Sequence, residues 1–389
     1  MPLATAVILS YNRQDALRRQ LLYYANKPLH LIFADGSDDD WGSGESGSIG
    51  EMTWEYFRIS GFDSWIPRVR TAVAKVDSEF MFFLDDEECI LFTGIERAIN
   101  FLIQNLDHSC AGGRADTCTF TFIKRRIVIG PWGRRDEPFE LLQPSGLERF
   151  ESMCTEGRTA NLFYQIQRSK NVRAWVGALD PAFKPSGNYP GFLEIAFTGS
   201  LSLLGKWKMS SYPFWIRFGS LGLQSGWSTA PAYISSNQVF ELESIIDKAV
   251  NLGGGIQGQD GIGFKRSLTA EIIEKNFGKS SLKKSESLVE SMQTLSARRK
   301  FAKRVLKFAV RLSGNLWKFS PRIYDLLYPL YELLYPQGPK TVSSFGKSFG
   351  SKQSAVFSDI YSFGEIWSKF PYGLDTDQLR EELRLRANI

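Results

Sequence analysis

Acidic and hydroxyl side chains gather at three points early in the chain, each directly after a short apolar run: Ser10-Tyr11-Asn12-Arg13, Asp35-Gly36-Ser37 and Asp85-Asp86-Glu87-Glu88. Four carboxylates in a row repel one another unless a cation or solvent compensates them. Hard oxygen ligands of this kind suit Mg²⁺ or Mn²⁺, which take one or two carboxylates together with phosphate oxygens of a ligand. Each turn also has a plain reading, because Asp, Gly and Ser are ordinary turn residues and acids favour the first turn of a helix. The chemical reading requires that the three turns meet.

The apolar runs supply a way for them to meet. Residues 5–9 (TAVIL) and 29–33 (LHLIF) read as strands, and between them Ala16, Leu17, Leu21, Leu22 and Ala25 recur at helical spacing. That is a βαβ unit. In open parallel sheets ligands collect beyond the carboxyl ends of the strands, so Ser10 to Arg13 and Asp35 to Ser37 are expected to line one crevice. Residues 80–84 (FMFFL) show no alternation and read as a strand buried on both faces, which would deliver the acidic run to the same edge.

In this order and spacing, SYNR at 10–13, ADGS at 34–37 and LDDEE at 84–88 resemble the inverting family-2 glycosyltransferases of GT-A fold. FYQIQR at 163–168, FLEI at 192–195 and GKW at 205–207 extend the resemblance to about Arg217, within a bacterial branch of predicted glycosyltransferases. The resemblance implies a GT-A-type nucleotide-sugar-binding mixed sheet flanked by helices. It implies that Asp35 hydrogen-bonds the base and that Ser10, Tyr11 and Asn12 wrap the nucleoside, with Arg13, Gly36 and Ser37 in the same nucleotide-sugar pocket. Asp85 and Asp86 match the aspartates that meet the ribose and the diphosphate-bound metal, Asp86 ahead of Asp85 as metal ligand. Glu87 stands where the third acid would be an aspartate, which leaves open which carboxylate touches the metal. Arg68 and Arg70, expected just ahead of a short helix that leads into the 80–84 strand, stand where the family often has a basic residue approaching the nucleotide. Inversion at an anomeric carbon needs one carboxylate to take the acceptor proton. Glu194, after the Pro- and Gly-containing stretch 181–191, is the candidate base, and Asp180 is the reserve.

Composition bounds the rest. With 389 residues, 43% of them hydrophobic, the chain has room for one large or two ordinary domains. Cys89, Cys110, Cys118 and Cys154 show no paired spacing and the histidines are His30 and His108, so reduced thiols are expected rather than a structural zinc site. Met1-Pro2 runs into the first strand without a charged leader or apolar core, so no signal peptide is expected, and no stretch reads as a membrane span.

The reach of the resemblance implies a catalytic domain at 1–225, followed by an expected helix with a Gly-rich lid or linker at 226–289, and charge sets apart a basic helical C-terminal extension at 290–389. The last part carries 16 Lys and Arg against 9 Asp and Glu. Within 291–322, Phe301, Val305, Phe308, Leu312, Leu316 and Phe319 form a helical stripe beside Arg298, Arg299, Lys300, Lys303, Arg304, Lys307 and Arg311. Such a helix suits a membrane interface. Tyr324, Tyr328, Tyr331 and Tyr335 follow at helical steps, as rings at the headgroup level do. Residues 298–335 are therefore expected to meet an anionic membrane surface, although the same helices could instead cover a protein core. Nucleic acid is not an expected partner, because the aromatic residues share the apolar face and form no separate stacking platform. Further helices are expected at 236–252 and 375–386, and linkers at 253–263 and 341–354.

The expected activity is metal-dependent transfer of a sugar, of hexosyltransferase type, from a nucleoside-diphosphate donor to a glycan or lipid-linked acceptor, with Mn²⁺ or Mg²⁺ as cofactor. The expected place is the cytoplasm, peripheral at the inner face of the membrane. The rival expectation is a non-catalytic GT-A module that binds nucleotide sugar or glycan as scaffold or regulator.

Overall fold

Strands that run parallel and are covered by helices on both faces must be apolar throughout, and the first strand of this chain is buried along its whole length. A computed structural model describes residues 2–40, 45–61, 65–86, 88–121, 126–131, 138–156, 163–178, 197–199, 201–218, 247, 340–341 and 359. From β1 (Ala4–Ser10), α1 (Gln14–Tyr24) leads to β2 (Leu29–Asp35). A hairpin of β3 (Ser46–Ile49) and β4 (Met52–Arg58) precedes α2 (Trp65–Ala74) and β5 (Phe80–Asp85). β6 (Glu88–Ile90), α3 (Phe92–Gln104) and the long β7 (His108–Thr121) follow. β8 (Arg126–Pro131), β9 (Phe139–Leu141), α4 (Gly146–Glu156), β10 (Ile166–Arg168), α5 (Ser169–Ala178) and β11 (Lys206–Phe218) come next, and β12 (Lys340–Thr341) pairs antiparallel with β8. The fold class is the expected one, α/β, with a central mixed sheet flanked by helices.

Register decides what the strand ends can do. β4, β2, β1 and β5 lie side by side and parallel, with Ser10 opposite Asp35, Asp35 opposite Arg58 and Leu9 opposite Asp85. The chain leaves β1 through α1 toward β2 and later returns through α2 to the other side of β1. The topological switch point, where open α/β sheets hold ligands, therefore falls at the carboxyl end of β1. β10 runs antiparallel between β5 and β7 and joins the second half of the sheet, in which β11 pairs parallel with β7 and antiparallel with β6 and β9.

Between β2 and the 80–84 strand stands the β3–β4 hairpin, which the sequence reading did not include. One detail differs from the sequence expectation. Arg68 and Arg70 do not precede a helix but lie inside α2, whose start the sequence obscures with Pro67. Proline is tolerated in a helix's first turn, where its missing N–H has no intrahelical acceptor to lose. Among the described residues no helix is long and apolar enough to cross a membrane. The helices expected at 236–252, 291–322, 323–335 and 375–386, and the linkers at 253–263 and 341–354, lie outside the described residues apart from 247 and 341.

The face of the sheet beneath the switch point is held by rings. Phe83 of β5 stacks on Phe163 at 4.7 Å, and Phe163 meets Phe197 edge-on at 5.2 Å. Phe197 in turn meets Trp175 of α5 at 4.7 Å, and Trp65 of α2 lies 6.2 Å from Phe163. Each ring joins a different element to β5. Phe163→Ala removes the central ring and should destabilise the protein by about 3–5 kcal/mol, to be read as a lowered midpoint in urea unfolding.

Candidate functional site

The loops after β1 and β2 are bound to each other before any ligand is considered. Asp35 is fully buried. Its Oδ1 accepts from the Ser37 amide at 3.0 Å and from the Ser37 hydroxyl, and its Oδ2 accepts from the Tyr56 hydroxyl at 2.8 Å. Ser37 Oγ accepts from the Asn12 amide at 2.7 Å. The Asn12 carboxamide donates to Asp38 Oδ2 at 3.1 Å and accepts from the Asp38 amide at 3.0 Å. Asn12 has φ of 56°, a left-handed conformation that Asn adopts more readily than most residues.

Beneath these loops lies Arg68, 3% exposed. Its Nη1 donates to the carbonyls of Ser10 at 2.6 Å and Ala34 at 3.3 Å, the last turns of β1 and β2. Burial pulls its guanidinium down to about 10, against the carboxylates of Asp35, Asp86 and Asp85. Gly36 covers it so closely that a Cβ at position 36 would stand 2.8 Å from Arg68 Cζ. Arg70, two residues on, does not share that face of α2. Arg68 is thus joined to the cluster.

The acidic run divides between two neighbourhoods. Asp86 turns back to the first loop, where Ser10 Oγ donates to its Oδ2 at 2.9 Å and Arg13 Nη1 to its Oδ1 at 3.1 Å. Asp85 faces the second half of the sheet and accepts from the Tyr164 hydroxyl at 2.9 Å through Oδ2. Burial pushes the Asp85 carboxyl up, opposed by that hydrogen bond and by the charges of Arg217, Arg13 and Arg68. Glu88 is buried against β11, where Trp215 Nε1 donates to its Oε2 at 2.8 Å and Arg217 Nε lies 3.5 Å from Oε1. Trp215 stacks on Tyr164 at 4.1 Å, so the partners of Asp85 and Glu88 support each other. From below, the Gln20 amide of α1 donates to the carbonyls of Asp86, at 3.3 Å, and Glu88. One side chain braces both flanks of position 87.

Ser10, Asn12, Arg13, Asp35, Gly36, Ser37, Arg68, Asp85 and Asp86 therefore gather at one edge. Tyr11 is half-buried in the first of the two joined loops. Glu87, Asp180 and Glu194 lie outside the described residues. Among the described residues no three His, Cys, Asp or Glu side chains converge as a metal-binding group. Sequence reasoning missed Tyr56, Gln20, Tyr164, Trp215 and Arg217 as members of the cluster, and it had Glu88 only as the last acid of the run. Gln20 had left a trace: it shares the buried stripe of Leu17, Leu21 and Tyr24, and a polar residue on a core-facing stripe calls for a partner.

No protein-family model matches the chain, and no curated protein matches it. Solved structures similar to it include S. aureus TarS, at 12% identity and a TM-score of 0.45, covering 76% of this chain and 46% of that one. They also include TarS 1–349 in complex with UDP and with UDP-GlcNAc, each at 12% identity and a TM-score of 0.44, covering 97% of this chain and 93% of that one. The chain thus spans less than half the length of the first of these.

Removal of the Tyr56 hydroxyl leaves Asp35 Oδ2 buried without its donor. Tyr56→Phe should cost about 1–3 kcal/mol of stability, measured by urea unfolding, and a cost near zero would mean that water replaces the hydroxyl.

Proposed function

We propose that the chain is a glycosyltransferase that moves a sugar from a nucleoside-diphosphate donor to a glycan or lipid-linked acceptor. The observation that supports this most is the meeting of the Ser10, Asp35 and Asp85-Asp86 turns at the switch point of a parallel sheet. A nucleoside diphosphate needs a crevice with polar groups for its base and ribose and positive charge for its phosphates. The joined loops 10–13 and 35–38 offer the first, and Arg13, Arg68 and Arg217 the second. Asp35 reads as the base-contacting carboxylate, held at a fixed orientation by Tyr56 and Ser37.

The acidic run suits Mn²⁺ or Mg²⁺. Burial disfavours the charged form of Asp85, and its Oδ1 makes no hydrogen bond among the described residues, so a divalent cation would relieve it. Both oxygens of Asp86 are already engaged by Ser10 and Arg13. On that ground the proposal reverses the order expected from the sequence, Asp86 ahead of Asp85, and takes Asp85 as the inner ligand with Asp86 next to it. Such a cation supplies electrostatic hold on the departing diphosphate.

In this reading transfer proceeds with inversion. The acceptor oxygen forms a bond to the anomeric carbon while the bond from that carbon to the diphosphate oxygen breaks, its electron pair leaving with the diphosphate. The acceptor proton passes to Glu194, with Asp180 in reserve. The basic segment 298–335 would set the enzyme on an anionic membrane surface at the cytoplasmic face, where a lipid-linked acceptor is presented.

Two measurements test the proposal. UDP or GDP should raise the melting temperature more with Mn²⁺ than with EDTA, as mass action requires of a ligand that binds the folded state, and Asp85→Asn should abolish the difference. Equal stabilisation in EDTA removes the metal from the proposal. Glu194→Gln should keep donor binding and lose transfer by on the order of 10²-fold or more; turnover near that of the unaltered protein removes Glu194 as base.

A further inference from the structure

Helix α3 begins without a cap of its own. Its N-cap residue is Leu91, whose side chain caps nothing, and its first turn carries no acid. The amides of Gly94 and Ile95 both reach the Leu91 carbonyl, at 2.9 and 3.0 Å. The Thr93 amide does not, and it donates instead to Oδ2 of Asp359 at 2.7 Å, across 266 residues of sequence. The other oxygen of Asp359 lies 3.8 Å from Lys27 Nζ, and Lys27 stands over the ring of Phe92, the first residue of α3, at 4.7 Å. Asp359 is 6% exposed.

We infer that Asp359 is the N-terminal cap of α3 supplied from the far end of the chain, and that Lys27 and Thr93 hold its carboxylate there, with Lys27 placed over Phe92. The physical case is complementary. A carboxylate this buried is tolerated only where charge and donors compensate it. The helix N-terminus offers a free amide and the positive end of the peptide dipoles, and Lys27 offers a full charge. A helix end that leads directly out of β6, and so out of the acidic turn, gains the acceptor that its own sequence omits. Asp359 thus ties the start of α3 to a position 266 residues away in sequence.

The test is amide hydrogen exchange in the full chain, resolved over residues 91–104. Asp359→Ala should speed exchange at Thr93 and its helical neighbours by about fivefold or more, the size expected for loss of a helix cap, while β1 and β2 stay protected. Asp359→Asn keeps an acceptor oxygen and loses the charge, so its effect at Thr93 should be smaller, and it guards against a variant that does not fold. Lys27→Met should lower the melting temperature of the unaltered chain but add little in the Asp359→Ala background. Unchanged exchange at Thr93 in both Asp359 variants, or fully additive effects of Lys27 and Asp359, overturns the inference.

Discussion

Charge buried at the carboxyl ends of parallel strands is the constraint around which the site is built. A carboxylate removed from water is stable only when donors or cations replace the solvent. Asp35 and Asp86 are both buried, and they are served from different directions. Asp35 takes hydroxyls and an amide from β4 and its own turn, whereas Asp86 takes a guanidinium and a hydroxyl from the β1 loop. Arg68 sits beneath both loops and pulls the ends of β1 and β2 together through their carbonyls. The strand ends are thus held in place by the same contacts that neutralise their charge.

The second half of the sheet performs a related task for the rest of the acidic run. β11 shifts register between Ser210 and Pro213 and again between Pro213 and Trp215. Such irregularities bend a strand and re-aim its side chains. On one side of them β11 pairs with β9, through Trp207 to Met209, and on the other with β6, through Trp215 to Arg217. The change of partner brings Trp215 and Arg217 onto Glu88, and Trp215 carries Tyr164 with it toward Asp85.

The parts of this arrangement that depend on local pattern were legible in the sequence. Residues 5–9, 29–33 and 80–84 are apolar runs broken only by Thr5 and His30, and each became a strand of the parallel core because burial on both faces favours apolar side chains at nearly every position. The helix between the first two runs showed in its spacing. β4 was missed because residues 52–58 (MTWEYFR) mix buried, half-exposed and exposed positions near the sheet edge, and α2 was expected but its start was misplaced past Pro67. The partners of the carboxylates were harder to see for a different reason. Tyr56, Tyr164 and Trp215 lie 21, 79 and 127 residues from the acids that they serve. No local periodicity encodes a hydrogen bond across such a distance; only the fold does.

Gly36 shows how far a small residue can carry meaning. In sequence it looks like the flexible member of a turn, yet it is not among the described glycines with positive φ, which are Gly50 and Gly61. What position 36 supplies is room, since the guanidinium of Arg68 occupies the space that a side chain there would claim. The two positions share a single volume, one as the absence of an atom and the other as a cation. A larger residue at 36 would push the guanidinium of Arg68 aside, and with it the bonds that tie the ends of the first two strands.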